Sequence, residues 1–343
     1  PENFSIGFDK YYDPSLPRLI EYIHWWDRAH NFIFDISLTA GVPALMIYLS
    51  LFGILFWQLQ KLKNDTEKRL IAHGIQATFI GYLVGNFFSF DTFSSYLVSF
   101  LLISFSLSLI SENIPEKTFS FNIKGKSLII LLLFFSLIWF IWTFNIKSFQ
   151  INTRINIAKY LVENNRCEQA LVIMEKTLGM GRTFLDAYLR QKYVDFMEKC
   201  KIEQPEKTLE FAKKGYQLLK ETIKIQPYYT RNWINLGGLT RVLIEFEENP
   251  EIKEDLKKEA NYYLEKANLL SPKRQEVFIE WIKTDLLTGE YQKAKEKSQK
   301  CIDLNERVSD CWWLMGLSNL YLNENEKGEE NINIAGKKGY PIY

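Results

Sequence analysis

The stretch "VFIEWIKTDLLTGEYQKAKEKSQKCIDL", residues 277–304, aligns with "CWWLMGLSNLYLNENEKGEENINIAGKKG", residues 311–339, at a spacing of 34 residues. In that register Gly289 matches Asn323, Ala294 matches Gly328, and Cys301 matches Ala335. Small residues recur where two helices must approach closely. An earlier unit contains "NWINLGGL", residues 232–239, with Trp233, Leu236 and Gly237, followed by Ala260, Ala267 and Pro272. A charged insertion, "EFEENPEIKEDLKK", residues 245–258, separates its two helices, and another unit ends near Pro227.

This pattern resembles the tetratricopeptide repeat, a helix–turn–helix unit of 34 residues. The resemblance recurs over most of residues 151–343. It implies an α-solenoid whose stacked helix pairs form a concave surface for a peptide or a partner protein. An unrelated α-helical bundle is the alternative fold, and a rigid spacer or dimerisation arm is the alternative use.

Outward from the repeats, the 343-residue chain changes character. Its net charge of +1 and mean hydropathy of −0.15 suggest an ordinary soluble protein. That average conceals an N-terminal part, to about residue 146, crowded with Phe, Leu, Ile and Ser. Charge balances in both parts, so nothing points to a nucleic-acid partner. The chain begins at Pro1 rather than Met, which suggests a piece of a longer membrane protein. The four cysteines, Cys167, Cys200, Cys301 and Cys311, form no CxxC pair. They read as small core residues, or as disulfides if this part faces an oxidising compartment.

A membrane helix needs about 20 mostly apolar residues. Four stretches fit, at about 42–59, 70–88, 94–110 and 127–146. They are apolar all round and lack a polar stripe. The link between the first and second carries Lys61, Lys63, Lys68 and Arg69; the link between the third and fourth carries Lys117, Lys124 and Lys126. The positive-inside rule places both links in the cytoplasm. Residues 1–41, the loop at Asp91 and residues 147–343 then lie outside. The expected architecture is all-α: an extracytoplasmic loop (1–41), polytopic membrane helices (42–146) and an extracytoplasmic repeat domain (147–343).

The sequence "DRAHN", residues 27–31, stands just before the first span, with Tyr22, Trp25 and Trp26 upstream as interfacial aromatics. After His30-Asn31 come nine residues, Phe32 to Ala40, then Gly41-Val42-Pro43-Ala44 and the apolar run. This resembles the C-terminal signature of the O-antigen ligase and polymerase family, with Ala44 where many members have Gly. The resemblance covers about residues 1–146, without the family's earlier membrane helices. It implies a bacterial inner-membrane glycosyltransferase acting at the outer face. Such an enzyme moves a glycan from undecaprenyl pyrophosphate to an acceptor hydroxyl on a lipid A core, a growing polysaccharide or a protein, with no metal or nucleotide cofactor.

The residue types suit that chemistry. A sugar hydroxyl needs a base as its new bond forms, and an imidazole suits that role, which makes His30 the candidate. A guanidinium such as Arg28 can stabilise the departing pyrophosphate. Asp27 could orient either residue. Asn31 could hold the acceptor or donate to a backbone carbonyl. The nine-residue spacer reads as a short interfacial helix ended at Gly41. His24 and Asp91 are weaker candidates, and His73, at the inner end of the second span, reads as structural. The alternative function is a non-enzymatic, membrane-anchored repeat scaffold for envelope assembly. A transporter ranks last, since no intramembrane charge pair is present.

Overall fold

The computed structural model describes residues 2–16, 25, 28–62, 66–89, 91–111, 126–180, 185–200 and 205–341. Among these, the regular structure is helical. The chain divides into two compact units, Pro1–Phe8 with His24–Ile123, and Asp9–Ile23 with Lys124–Tyr343.

The first unit contains most of α1 (Glu2–Lys10), then α2 (Phe32–Ala40), α3 (Val42–Gln60), α4 (Thr66–Phe87) and α5 (Phe93–Ser111). Its core is Phe52, Leu55 and Leu59 of α3 against Ala72, Ile75 and Phe79 of α4, with Leu109 of α5. Phe52 meets Phe79 edge-on, at 5.3 Å between ring centres. The outer faces remain apolar: Ile47, Ile54 and Trp57 on α3 and Leu97, Phe100 and Leu101 on α5 are exposed. Patches of this extent mark a surface meant for lipid or protein rather than water. Serine is tolerated in α5 because its hydroxyls bond back into the helix, as Ser106 Oγ does to the Leu102 carbonyl at 2.7 Å.

Among the described residues, three helices are long and apolar enough to cross a membrane: Val42–Gln60, Ser94–Ser111 and Leu128–Glu163. The expected second span, 70–88, is not among them. It falls in α4, which contains His73, Gln76 and Asn86 within its apolar run. Gln76 and Asn86 turn inward, whereas His73 is exposed. Gln76 Nε2 donates to the Phe56 carbonyl at 3.0 Å, and Gln76 Oε1 accepts from Gln60 Nε2 at 3.2 Å.

In the second unit, α6 (Lys126–Phe140), a π-helical stretch (Ile141–Ile146) and α7 (Lys147–Glu163) follow without a break. The candidate span within them, Leu128–Glu163, has 36 residues. At 1.5 Å per residue that is about 54 Å, against about 30 Å for a bilayer core. The helix changes environment along its length. The large apolar side chains from Leu128 to Ile146 are exposed, whereas Ser148, Ile151, Ile155, Ala158 and Leu161 are buried.

The pairs then continue as α8 (Cys167–Leu178), α9 (Asp186–Lys199), α10 (Pro205–Ile225), α11 (Thr230–Phe246), α12 (Pro250–Leu270), α13 (Gln275–Leu287), α14 (Tyr291–Leu304), α15 (Ser309–Tyr321) and α16 (Asn325–Lys337). Each helix packs on the next. The first helices of successive pairs, α11, α13 and α15, also touch one another, which makes them one layer of a two-layer solenoid. The 34-residue register holds in the backbone. The turns inside the last two pairs place Gly289 (φ 78°) and Asn323 (φ 61°) in the left-handed region that Gly and Asn adopt most readily.

All four cysteines are paired. Cys167–Cys200 has a Cα separation of 5.5 Å and Cys301–Cys311 one of 5.7 Å. They close loops with sequence separations of 33 and 10 residues. Loop-closure entropy assigns them about 4 and about 3 kcal/mol. Non-reducing mass analysis after alkylation should therefore show no free thiol, and reduction should lower the melting temperature. Full alkylation without reductant would show the thiols to be free.

Candidate functional site

Asn31 starts α2. Its backbone is extended (φ −154°, ψ 120°), and its side-chain oxygen accepts from the amides of Ile33 (3.0 Å) and Phe34 (3.3 Å). This satisfies two donors at the helix start. Its Nδ2 donates to the Phe87 carbonyl at the end of α4, at 2.8 Å. Both ends of the amide thus tie α2 to α4. His30, immediately before, is exposed and held at φ 50°, an uncommon conformation for a residue with a β-carbon. Arg28 Nη1 lies 4.0 Å from Asp35 Oδ2 in the first turn of α2. Asp27, His24, Tyr22 and Trp26 lie outside the described residues. The nine-residue spacer is the nine-residue helix α2. Gly41 at φ 91° ends it, and Pro43 sits in the first turn of α3.

A second cluster lies at the same end of α4. Tyr82 OH donates to the Asp91 carboxylate (2.7 Å to Oδ1), as do Asn86 Nδ2 (2.9 Å) and Ser95 Oγ (3.0 Å). Tyr48 OH on α3 reaches Tyr82 OH at 3.4 Å. A carboxylate in apolar surroundings is stable when several donors converge on it. Asp91 is therefore the hub joining α4 to α5, a larger part than its loop position suggests. The signal is readable: Tyr82 and Asn86, and Asp91 and Ser95, are each four residues apart, the spacing of neighbours on one helix face.

A third cluster lies in the second unit. Residues 9–14 run across the loops that join α12 to α13 and α14 to α15. Arg274 Nη2 pairs with Asp9 Oδ1 at 2.6 Å and Nη1 with Glu276 Oε1 at 3.0 Å. The guanidinium centre lies 4.2 Å from the centre of the Tyr12 ring. Ser271 Oγ donates to the Asp9 carbonyl (2.7 Å), while Gln275 Nε2 (3.1 Å) and Asn305 Nδ2 (2.8 Å) both donate to the Pro14 carbonyl. Burial pushes the carboxyls of Asp9 and Glu276 above the usual carboxylate range, although Arg274 opposes it. No motif or periodicity in the chain points to this contact.

Two ion pairs join helices of neighbouring pairs. Arg231 of α11 meets Asp195 of α9 at 2.7 Å, and Arg241 of α11 meets Glu280 of α13 at 3.4 Å. Among the described residues, no group of three or more His, Cys, Asp or Glu is placed to hold a metal.

No protein-family model matches the chain, and no curated protein matches it. Solved structures similar to it include a thermophilic TPR protein of Thermus thermophilus, at 15% identity and a TM-score of 0.46, covering 55% of this chain and 91% of that one. PilF of Pseudomonas aeruginosa is similar at 17% identity and a TM-score of 0.41, covering 57% of this chain and 79% of that one. A MamA double mutant is similar at 13% identity and a TM-score of 0.40, covering 55% of this chain and 93% of that one.

Proposed function

We propose that this chain is a membrane-anchored repeat scaffold. Its apolar helices lie in a lipid bilayer, and its helix pairs offer a docking surface on the extracytoplasmic side. The observation that carries this reading is the continuous helix Leu128–Glu163, bare and apolar at one end and packed into the repeats at the other. Two further observations support the sidedness. The basic links favour the cytoplasm, and paired cysteines in the repeats suit an oxidising compartment. Protease added to sealed right-side-out vesicles should remove the repeats, and a photo-cross-linker at Arg241, in the layer of α11, α13 and α15, should capture a partner. Repeats protected from outside protease would overturn the orientation; absence of any cross-linked partner would overturn the scaffold.

A second reading is favoured by the geometry at His30. The helix α2, its Asn31 cap and its end at Gly41 fit the arrangement that the O-antigen ligase resemblance calls for. In this reading His30 accepts the acceptor hydroxyl proton as oxygen bonds to the anomeric carbon, and the carrier pyrophosphate departs with the bonding electrons. Arg28, already beside Asp35, would face the departing phosphates. Asn31 would bind the acceptor only indirectly, because its amide is committed to α2 and Phe87. At equal expression, His30→Ala should lower glycan transfer by about 10²–10⁴-fold, the usual worth of a general base. Undiminished transfer would make "DRAHN" an interfacial anchor.

A further inference from the structure

We propose that the repeat edge at the α12–α13 and α14–α15 loops is a peptide-docking slot. It reads an Asp-x-x-Tyr segment, and the chain's own residues 9–14 fill it as a removable latch. The inference deepens the scaffold reading and rests on it.

The slot treats this segment as a ligand. Three of its hydrogen bonds go to main-chain carbonyls: Ser271 to Asp9, and Gln275 and Asn305 to Pro14. The segment is the last residues of α1 and the turn after it, with Tyr12 N donating to the Asp9 carbonyl at 3.3 Å. Its main-chain contacts fix it in place, and side-chain contacts choose which segment fits. The choice falls to Arg274, which pairs with the Asp9 carboxylate and lies over the Tyr12 ring. A planar guanidinium suits both tasks, where a lysine would serve only the first. Lys10, Tyr11 and Asp13 are exposed and Pro14 is held by its carbonyl, so the sequence read is confined to Asp9 and Tyr12.

The donors also belong to the repeat. Ser271 and Asn305 stand 34 residues apart, the same place in successive units. Stacking of the units therefore creates the slot.

The fit is imperfect in the manner of a removable part. Gln275 Oε1 and Glu276 Oε2 are buried with no hydrogen-bond partner among the described residues. Gln275 touches the segment through its Nε2 and Glu276 touches its partner Arg274, and a buried acceptor without a partner counts against the seated state. A partner segment of the same chemistry would then compete for the slot.

The test uses the full chain in detergent micelles and a fluorescein-labelled peptide of residues 8–16, FDKYYDPSL. The variant Asp9→Ala/Tyr12→Ala weakens the latch and leaves the slot intact. It should bind the peptide at least about tenfold more tightly than the wild type, since every 1.4 kcal/mol of released competition is a factor of ten. Adding Arg274→Ala should abolish that gain. Equal binding by wild type and variant would overturn the latch. No binding by a folded variant would overturn the slot, and the scaffold reading would stand if cross-linking from Arg241 persisted. If the variant fails to fold, hydrogen exchange of the wild type decides. Exchange of the Tyr12 amide by local opening, with α13 still protected, supports the latch; exchange only with global unfolding sinks it.

Discussion

Arg274→Ala is expected to destabilise the repeat unit by about 3–5 kcal/mol, the usual cost of removing one partner from a buried ion pair. Arg274 is 0% exposed and Asp9 2%. Without the guanidinium, Asp9 and Glu276 would be buried with like charge and no counter-charge, and the Tyr12 ring would lose its packing partner. Urea unfolding followed by tryptophan fluorescence should show the loss as a lower midpoint. The exchange Asp9→Arg/Arg274→Asp should recover part of it, because the pair is restored with its ends reversed. A loss below about 1 kcal/mol would show that water reaches the site, since exposed pairs are worth no more.

The pH dependence follows from the same contact. Burial raises the carboxyls of Asp9 and Glu276 when the chain is folded. A carboxyl whose folded pKa exceeds its unfolded value binds its proton more readily in the folded state. Its contribution to stability therefore falls as pH rises through that window. Seating of residues 9–14 should be firmer at mildly acidic pH than at neutral pH. In Arg274→Ala the dependence should steepen, because burial then acts unopposed.

How much is legible in the sequence depends on distance along the chain. The last two repeats are readable because helix crossings demand small residues at a fixed spacing, and Gly289 and Asn323 mark the same left-handed turn. The helix α2 is readable because an Asn cap and a Gly stop bracket it. The inward turn of Gln76 in α4 is not legible, because its partners, Phe56 and Gln60, lie on another helix. Arg28 suits a pyrophosphate by residue type, yet Asp35, one helix turn into α2, is near enough in sequence to compete for it. Residues 9–14 are out of reach. The Asp9–Arg274 pair spans 265 residues, and no local periodicity reports a contact of that separation.

Gly316→Val is expected to be the most damaging apolar substitution in the repeats. A β-carbon at Gly316 would stand 2.6 Å from Ile332 Cγ1 and 3.0 Å from the Gly328 carbonyl oxygen. From the other side, a β-carbon at Gly328 would stand 2.6 Å from Leu320 Cδ2 and 3.2 Å from the Gly316 carbonyl oxygen. A side chain can rotate away, but a backbone carbonyl cannot, so α15 and α16 would have to separate. Alanine in place of a helical glycine gains about 1 kcal/mol of propensity. Overpacking costs about 1–3 kcal/mol, and more when backbones collide. The clash should therefore win at Gly316 even for alanine, and by several kcal/mol for valine. Gly237→Ala offers the contrast. Its β-carbon would meet Leu264 Cδ2 and Cγ at 2.6 Å, which are side-chain atoms able to shift, so its cost should be smaller. Stability in a solenoid is nearly a sum over neighbouring units. Hydrogen exchange in Gly316→Val should accordingly quicken in α15 and α16 while α11 and α12 keep their protection. Equal loss of protection across all pairs would mean that the solenoid unfolds as one cooperative body, and that the close approach at Gly316 supports the whole of it.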